Sequence, residues 1–274
     1  MKTGTAAYGY GIRAVIALWG WSAMLAGGPL CAAEDEIVTD RPDFVESSLT
    51  VGKRHFQIET SVAGVYNRDG NLSERTFATP TLLRLGVADN WELRLESDGY
   101  VRVHTEDSAA PPPRNTYGVA DSALGVKWHM QDGQEARPSV ASLLHADVPS
   151  GTPDLRGHGI RPSLRFSLEW ELPKESSLGV MPGVIYDSRD DGHRFTAGIL
   201  GVTLSHNWTE PLRTFVEVAA RQLATPADGG NIVTYDFGVA YLITPMVQID
   251  AAMFIGANHH TPDVSWTIGL SAKF

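Results

Sequence analysis

The stretch WELRLESDGYVRVH, residues 91–104, decides the fold because its side chains alternate with a period of two. Its odd positions carry apolar or small side chains, from Trp91 to Val103. Successive side chains of a β-strand point to opposite faces, so this stretch predicts a strand with one apolar and one charged face. The charged face takes the even positions, with formal charges at Glu92, Arg94, Glu96, Asp98 and Arg102.

Such a strand has one preferred orientation in a bilayer. An arginine or lysine that faces lipid costs about 2–4 kcal/mol at the midplane, and acids cost less. Turning this strand over would therefore cost on the order of 10 kcal/mol. The last residues, 264–274, repeat the alternation and end on Phe274. We predict an all-β fold in which the charged faces surround a closed interior: a transmembrane antiparallel up-and-down β-barrel.

Residues 53–274 contain about twelve alternating segments, each long enough for a tilted membrane strand. Tight turns alternate with longer polar connections, as in outer-membrane barrels, where short turns are periplasmic. The longer connections are predicted at 67–74, 105–116, 149–159 and 223–231.

Aromatic residues form two predicted belts, one at each end of the strands. Two belts are typical of a membrane barrel, whereas a soluble β-sandwich, the alternative fold, has no need of them. One belt contains Trp91, Trp128, Trp170, Trp208, Tyr241 and Phe274, and the other Tyr66, Tyr117, Tyr186, Phe195, Tyr235 and Trp266.

The N-terminus predicts export. Lys2 and Arg13 precede an uncharged run that ends in small residues at Ala33, which is typical of a cleaved signal peptide over 1–33. An uncleaved anchor and a lipoprotein acylated at Cys31, the single cysteine, are the alternatives. Cleavage would leave 20 basic against 32 acidic residues, a balance that argues against a nucleic-acid partner. We expect the mature chain in the outer membrane of a Gram-negative cell.

Several short motifs recur in one order along the mature chain. They are TDRPD at 39–43, GVADNWEL at 86–93, GVADSALGVK at 118–127, VPSG at 148–151 and FVE at 215–217. In this order they resemble the family of outer-membrane transporters named for the meta-pathway of phenol degradation. The resemblance implies an outer-membrane barrel that passes small, often aromatic, compounds.

The inward faces are predicted to line a polar lumen that slightly prefers cations. The alternative is that their side chains fill the bore with salt bridges and close it. A leader, 34–52, precedes the barrel and either plugs it from the periplasmic end, with Arg41 paired to lumen carboxylates, or stays solvated. The lumen and constriction candidates are Asp40, Arg41, Asp43, Glu92, Arg94, Glu96, Asp98, Arg102, Asp121, Lys127, Asp147, Arg161, Arg165, Glu169, Arg213, Glu217, Arg221, Asp236 and Asp250.

The function predicted first is a passive channel for small, hydrophobic or aromatic solutes. The alternatives are an occluded structural or interaction barrel and, third, an outer-membrane lipid hydrolase. We expect no enzyme, catalytic residue, cofactor or metal site, since His259-His260 lacks a third ligand beyond Asp263. The expected partners are outer-membrane lipids, a small-molecule solute and the barrel assembly machinery, which reads the strand that ends at Phe274.

Overall fold

The computed structural model describes residues 36–110, 112–189 and 191–274, so the predicted signal peptide, 1–33, lies outside the described residues. Besides one short 3-10 helix, Pro226–Asp228, the regular structure consists of β-strands. In the described part of the chain, no helix is long and apolar enough to cross a membrane. The strand segments are β1 Phe56–Asp69, β2 Leu72–Ala78, β3 Thr81–Ala88, β4 Trp91–Ser97, β5 Tyr100–Asp107, β6 Arg114–Val119, β7 Ser122–Gln131, β8 Ser139–Val148, β9 Arg161–Leu172, β10 Ser176–Ser188, β11 Arg194–Thr209, β12 Leu212–Leu223, β13 Ile232–Thr244, β14 Val247–Gly256 and β15 Val264–Lys273.

The fifteen segments form one antiparallel sheet that closes into a barrel. The pairs β2/β3, β4/β5 and β6/β7 each continue one strand across a short interruption, so the barrel has twelve strands, as predicted. Closure joins β1 to β15 from Gln57 opposite Lys273 to Tyr66 opposite Val264. Beyond that ladder, Phe56 and Phe274 exchange backbone hydrogen bonds of 3.0 and 2.8 Å. The C-terminal residue is therefore part of the seam.

The two faces of the wall differ as the alternation predicts. On β4, Leu93 and Leu95 point outward and are 47% and 41% exposed, whereas Glu92 and Arg94 are 0% and 4% exposed. The outward face is apolar on the neighbouring strands too, with exposed leucine, valine, isoleucine and aromatic residues. Lipid is the environment in which such a continuous apolar surface is stable.

A β-bulge interrupts the strand that decided the fold. The amide of Thr79 donates to the carbonyls of both Asp98 (3.0 Å) and Tyr100 (3.1 Å). Gly99 has a φ of 64°, a conformation that glycine adopts at low cost. On one side of Gly99, β4 pairs with β3, and on the other side β5 pairs with β2. The registers of these two pairings differ by one residue. One extra residue therefore separates β4 from β5.

This extra residue exchanges the two faces of the strand. Beyond Gly99, Val101 is buried at 8% exposure and Tyr100 is 47% exposed. Arg102 lies opposite Phe77 and Tyr117, both of which are exposed. The prediction that Arg102 faces the lumen is therefore wrong, because the alternation restarts with opposite parity after the bulge.

The connections place tight turns at one end of the barrel, the turn end, and longer segments at the other, the loop end. The turn end includes two-residue connections at 89–90, 210–211 and 245–246. At the loop end, the long connection predicted at 67–74 is wrong. Residues 66–69 of β1 pair with 72–75 of β2 around a two-residue turn.

The bulge makes a testable prediction about Gly99. A Cβ at Gly99 would lie 2.4 Å from the Thr79 carbonyl oxygen, while at Gly70, whose φ is also positive, it would meet nothing within 4 Å. Gly99→Ala should therefore lower the free energy of unfolding by about 2 kcal/mol more than Gly70→Ala does. Urea unfolding in detergent micelles measures both, and equal losses would contradict the bulge.

Candidate functional site

The residues before β1 lie inside the barrel at its turn end. We call residues 36–55 the leader segment. Ile37 donates its amide to the Pro245 carbonyl (2.8 Å), and Thr50 donates its hydroxyl to the Asp89 carbonyl (2.7 Å). Both acceptors belong to turn-end connections. The segment therefore enters at the turn end, crosses the lumen and returns to the same end before β1.

Asp40 of the leader segment meets three cations of the wall. Its carboxylate accepts from Arg94 Nη1 (2.6 Å) and Lys127 Nζ (2.7 Å), and lies 3.3 Å from Arg84 Nη1. These four side chains are at most 2% exposed. Burial by itself raises the pKa of Asp40, but the three cations hold that pKa well below its ordinary value. Asp40 is therefore ionised, and its charge is shared by three strands of the wall.

Other carboxylates complete this cluster, which we call the central ion cluster. Glu92 bonds Arg84 Nε (2.9 Å) and Arg94 Nη1 (2.8 Å). Glu46, which also belongs to the leader segment, bonds Arg94 Nη2 at 2.7 Å and reaches Arg165 at 3.1 Å. Removing a single member would leave a buried charge without its partner, which is far costlier than losing an exposed ion pair. The cluster comprises Asp40, Glu46, Glu59, Arg84, Glu92, Arg94, Lys127 and Arg165.

The opposite wall holds the leader segment through a second set of contacts. Glu217 accepts the amides of Phe44 and Val45, each at 2.8 Å. Arg213 bonds Asp43 at 2.9 Å. Three further contacts are Arg41 to Asp250 (3.5 Å), Arg41 to Thr267 (2.7 Å) and Ser48 N to Glu169 (2.6 Å).

Two glycines of the wall make room for Val45. A Cβ at Gly179 of β10 would lie 2.9 Å from Val45 Cγ1, and one at Gly201 of β11 would lie 2.6 Å from Val45 Cγ2. Val45 is 5% exposed. The fit of Val45 between these strands therefore depends on residues without side chains.

Between the leader segment and the loop end lies a cavity of about 590 Å³, which we call the chamber. Arg221 lies 4.5 Å from the ring centroid of Phe44 and 5.4 Å from that of Phe254, and reaches Asp236 at 3.4 Å. Residues of the leader segment bound the chamber on one side. Apolar lining residues outnumber the charged ones and include Pro42, Phe44, Ala63, Val65, Pro80, Leu82, Ile232, Phe254 and Pro262.

A third ionic group stands towards the loop end. Arg161 reaches Asp121 at 3.1 Å, Asp147 at 3.5 Å and Asp187 at 3.7 Å. Asp121 also accepts the amides of Gly151 and Gly157 and so ties down the connection between β8 and β9. This group holds a loop at the rim.

The structure thus brings most of the predicted candidates together, in three groups. Five candidates fall elsewhere: Glu96 and Arg221 line the chamber, Asp236 contacts Arg221, Asp98 lies in the bulge, and Arg102 is on the outward face. The predicted candidates do not include Glu46, Glu59, Arg84 and the two glycines, which also contribute to the site. Arg84 had a signal, because it is the lone charge in its strand, whereas the strand of Glu59 carries other charges as well. Glu46 lies outside any strand, so no periodicity marked it.

One outward pair bears on catalysis. Ser176 Oγ and His206 Nδ1 are 3.0 Å apart near the turn end. In hydrolase triads a third polar group orients the histidine through its other ring nitrogen. Within the described residues, no carboxylate is bonded to His206, and no three potential metal ligands converge. His259 and His260 contact each other, with ring centroids 4.1 Å apart.

The central ion cluster predicts how the leader segment responds to Asp40→Asn. Three buried cations would lose the carboxylate that they share. The binding of the leader segment to the barrel wall should therefore weaken by about 3 kcal/mol. Hydrogen exchange at the amides of residues 44–48 should then accelerate on the order of 100-fold. Asp191→Asn is the control, because Asp191 pairs with Arg189 between β10 and β11, away from the leader segment, while its side chain is 58% exposed. Unchanged exchange in Asp40→Asn would show that Asp40 does not hold the leader segment.

Comparison with solved structures gives the same fold. The barrel is similar to the COG4313 outer membrane channel from Pseudomonas putida F1, with a TM-score of 0.59 and 11% identity over 85% of this chain and 99% of that one. It is also similar to the translocator domain of the autotransporter NalP from Neisseria meningitidis, with a TM-score of 0.52 and 11% identity over 80% and 87% of the two chains. At such identities the likeness concerns the fold alone. No curated protein matches the sequence.

The sequence itself identifies the family. The family model described as "Putative MetA-pathway of phenol degradation" matches residues 39–274, which include the leader segment from Thr39 onward and the whole barrel. The match begins at the TDRPD motif, whose aspartates and arginine contact the wall. The chain belongs to this family.

Proposed function

We propose that this protein is a passive outer-membrane channel for small apolar or aromatic solutes, and that its leader segment is the constriction. The observation that carries the proposal is the chamber of about 590 Å³, whose lining combines apolar side chains with nine charged ones. Cavities of this size bind small organic molecules. The name of the family and that of the COG4313 channel agree with such a role.

The apolar outward face supports a membrane location, and the short connections support a periplasmic turn end. Export through a cleaved signal peptide over 1–33, contact with outer-membrane lipids and recognition of the Phe274 strand by the assembly machinery are part of the proposal. The backbone bonds between Phe56 and Phe274 support the last of these, because the terminal strand completes the barrel.

The way the leader segment is held supports its role as a movable constriction. Its contacts to the wall are mainly hydrogen bonds and ion pairs that involve side chains, such as Asp40 to Lys127 and Glu217 to the amides of Phe44 and Val45. A strand of the barrel wall would instead be fixed by a ladder of backbone bonds. Displacing the segment would therefore break none of the backbone bonds that hold the sheet together.

The leader segment is expected to limit the current. Gly179→Ala with Gly201→Ala would press on Val45 from two sides, since the new Cβ atoms lie 2.9 and 2.6 Å from its methyl groups. Single-channel conductance in planar bilayers should rise at least twofold because the segment is displaced. Gly198→Ala on the outward side of β11 is the control, since its Cβ would lie no nearer than 3.4 Å to any atom.

The same recordings separate the channel from the runner-up, an occluded structural barrel. A wild-type protein that inserts without conducting, together with a double variant that is equally silent, would favour the occluded barrel. Insertion itself is checked by the electrophoretic mobility of unboiled and boiled samples, which should differ for wild type and variants alike.

Phe254 is expected to contribute to solute binding in the chamber. An aromatic solute such as benzyl alcohol should reduce the single-channel current, and Phe254→Ala should raise the half-blocking concentration about five- to tenfold, as expected for one lost aromatic contact. Phe237→Ala is the matched control, because Phe237 is 42% exposed on the outward face of the neighbouring strand. Equal block in wild type and Phe254→Ala would argue against the chamber as the binding site.

A further inference from the structure

The face exchange at Gly99 brings Arg102 and His104 to the outside of the barrel, next to Arg75, which faces outward from β2. Arg75 of β2 lies opposite Tyr66 on one side and His104 on the other. Arg102 lies opposite Phe77 and Tyr117. All of these side chains share the outward face, because residues directly opposite one another in a sheet point to the same side. We call Arg75, Arg102 and His104 the outer basic patch.

The patch lies at the height of the loop-end aromatic belt. Phe77 is opposite Gly64, which in turn is opposite Trp266. Phe77, Tyr117 and Trp266 are 40%, 69% and 42% exposed. Aromatic residues in membrane barrels concentrate where the hydrocarbon meets the headgroups. The arginines beside them are therefore at headgroup depth, where a cation avoids the cost of facing hydrocarbon.

The patch keeps an excess of positive charge. In the described parts of the chain, no carboxylate lies within ion-pair distance of Arg75 or Arg102, and Arg102 has a single long hydrogen bond, 3.5 Å to Asn115. The one acid on this face, Glu106, bonds His104 at 2.9 Å. Both arginines are exposed. This excess contrasts with the whole chain, whose formal net charge is -10.

From this placement we propose that the outer basic patch binds the phosphate-bearing headgroup of a membrane lipid in the loop-end leaflet. A guanidinium donates two parallel hydrogen bonds to a phosphate, which suits arginine better than lysine for this task. The exposed rings of Phe77 and Tyr117 lie next to Arg102 and offer an apolar surface to the acyl chains. A lipid satisfies both parts of this surface, whereas a soluble phosphate satisfies the cations alone.

The test measures lipid binding to the folded full-length barrel. Bis-phosphorylated lipid A is added to the detergent-solubilised protein, and native mass spectrometry gives the bound fraction. Arg75→Gln with Arg102→Gln should weaken the apparent affinity about tenfold, because two charge-assisted contacts are lost. Arg194→Gln is the control, since Arg194 is also at a loop-end strand terminus but lies 5.3 Å from the Tyr186 ring, away from the patch. It should bind like wild type.

Other outcomes decide against the proposal. Wild-type affinity in the double variant would overturn it, and so would an equal loss in Arg194→Gln. Full displacement of lipid A by millimolar inorganic phosphate would identify a soluble-anion site instead. If the double variant fails to show the heat-dependent mobility of a folded barrel, the single variants Arg75→Gln and Arg102→Gln decide, each with an expected loss of about threefold. Arg102→Lys should recover part of the binding, as charge remains without the paired donors.

Discussion

The structure depends on the electrostatic balance of the barrel interior. Arg84, Arg94 and Lys127 point into a lumen that excludes water from them, and each is 4% exposed or less. Cations in such a place are stable only with carboxylates in direct contact. The wall supplies Glu59 and Glu92, and the leader segment supplies the rest of the negative charge. Wall and leader segment are therefore one electrostatic unit.

This balance explains why residues without secondary structure occupy a defined position. The leader segment has no strand of its own, yet Ile37, Val45 and Val51 are as buried as core residues of the wall. Its negative side chains meet cations of β3, β4 and β7, while its backbone amides meet the carboxylate of Glu217 on β12. The contacts thus come from opposite sides of the barrel, and they centre the segment in the bore.

The period of two along the chain was sufficient to predict the barrel, its twelve strands and most of the lumen residues, because a charge that faces lipid is costly enough to set the register of a strand. It did not predict the contacts of Glu46, because the leader segment forms no strand and its path through the lumen leaves no periodic pattern in the sequence. The exchange of faces at Gly99 had a sequence signal that the alternation concealed. An isolated glycine within a strand pattern indicates a bulge, but Val101 and Val103 still looked like a continuation of the apolar face.

The bulge changes the inside and the outside of the barrel together. Beyond Gly99 the odd-numbered residues of the strand point inward and the even-numbered ones point outward. The inward-facing row across four neighbouring strands therefore consists of Ala63, Ala78, Val101 and Gly118. The same step moves Arg102 and His104 to the membrane side. The apolar inner row and the outward position of Arg102 and His104 therefore have one structural cause. Without the extra residue, Arg102 would point inward and Val101 and Val103 would face outward, so Arg75 would lose its neighbouring arginine on the outer face.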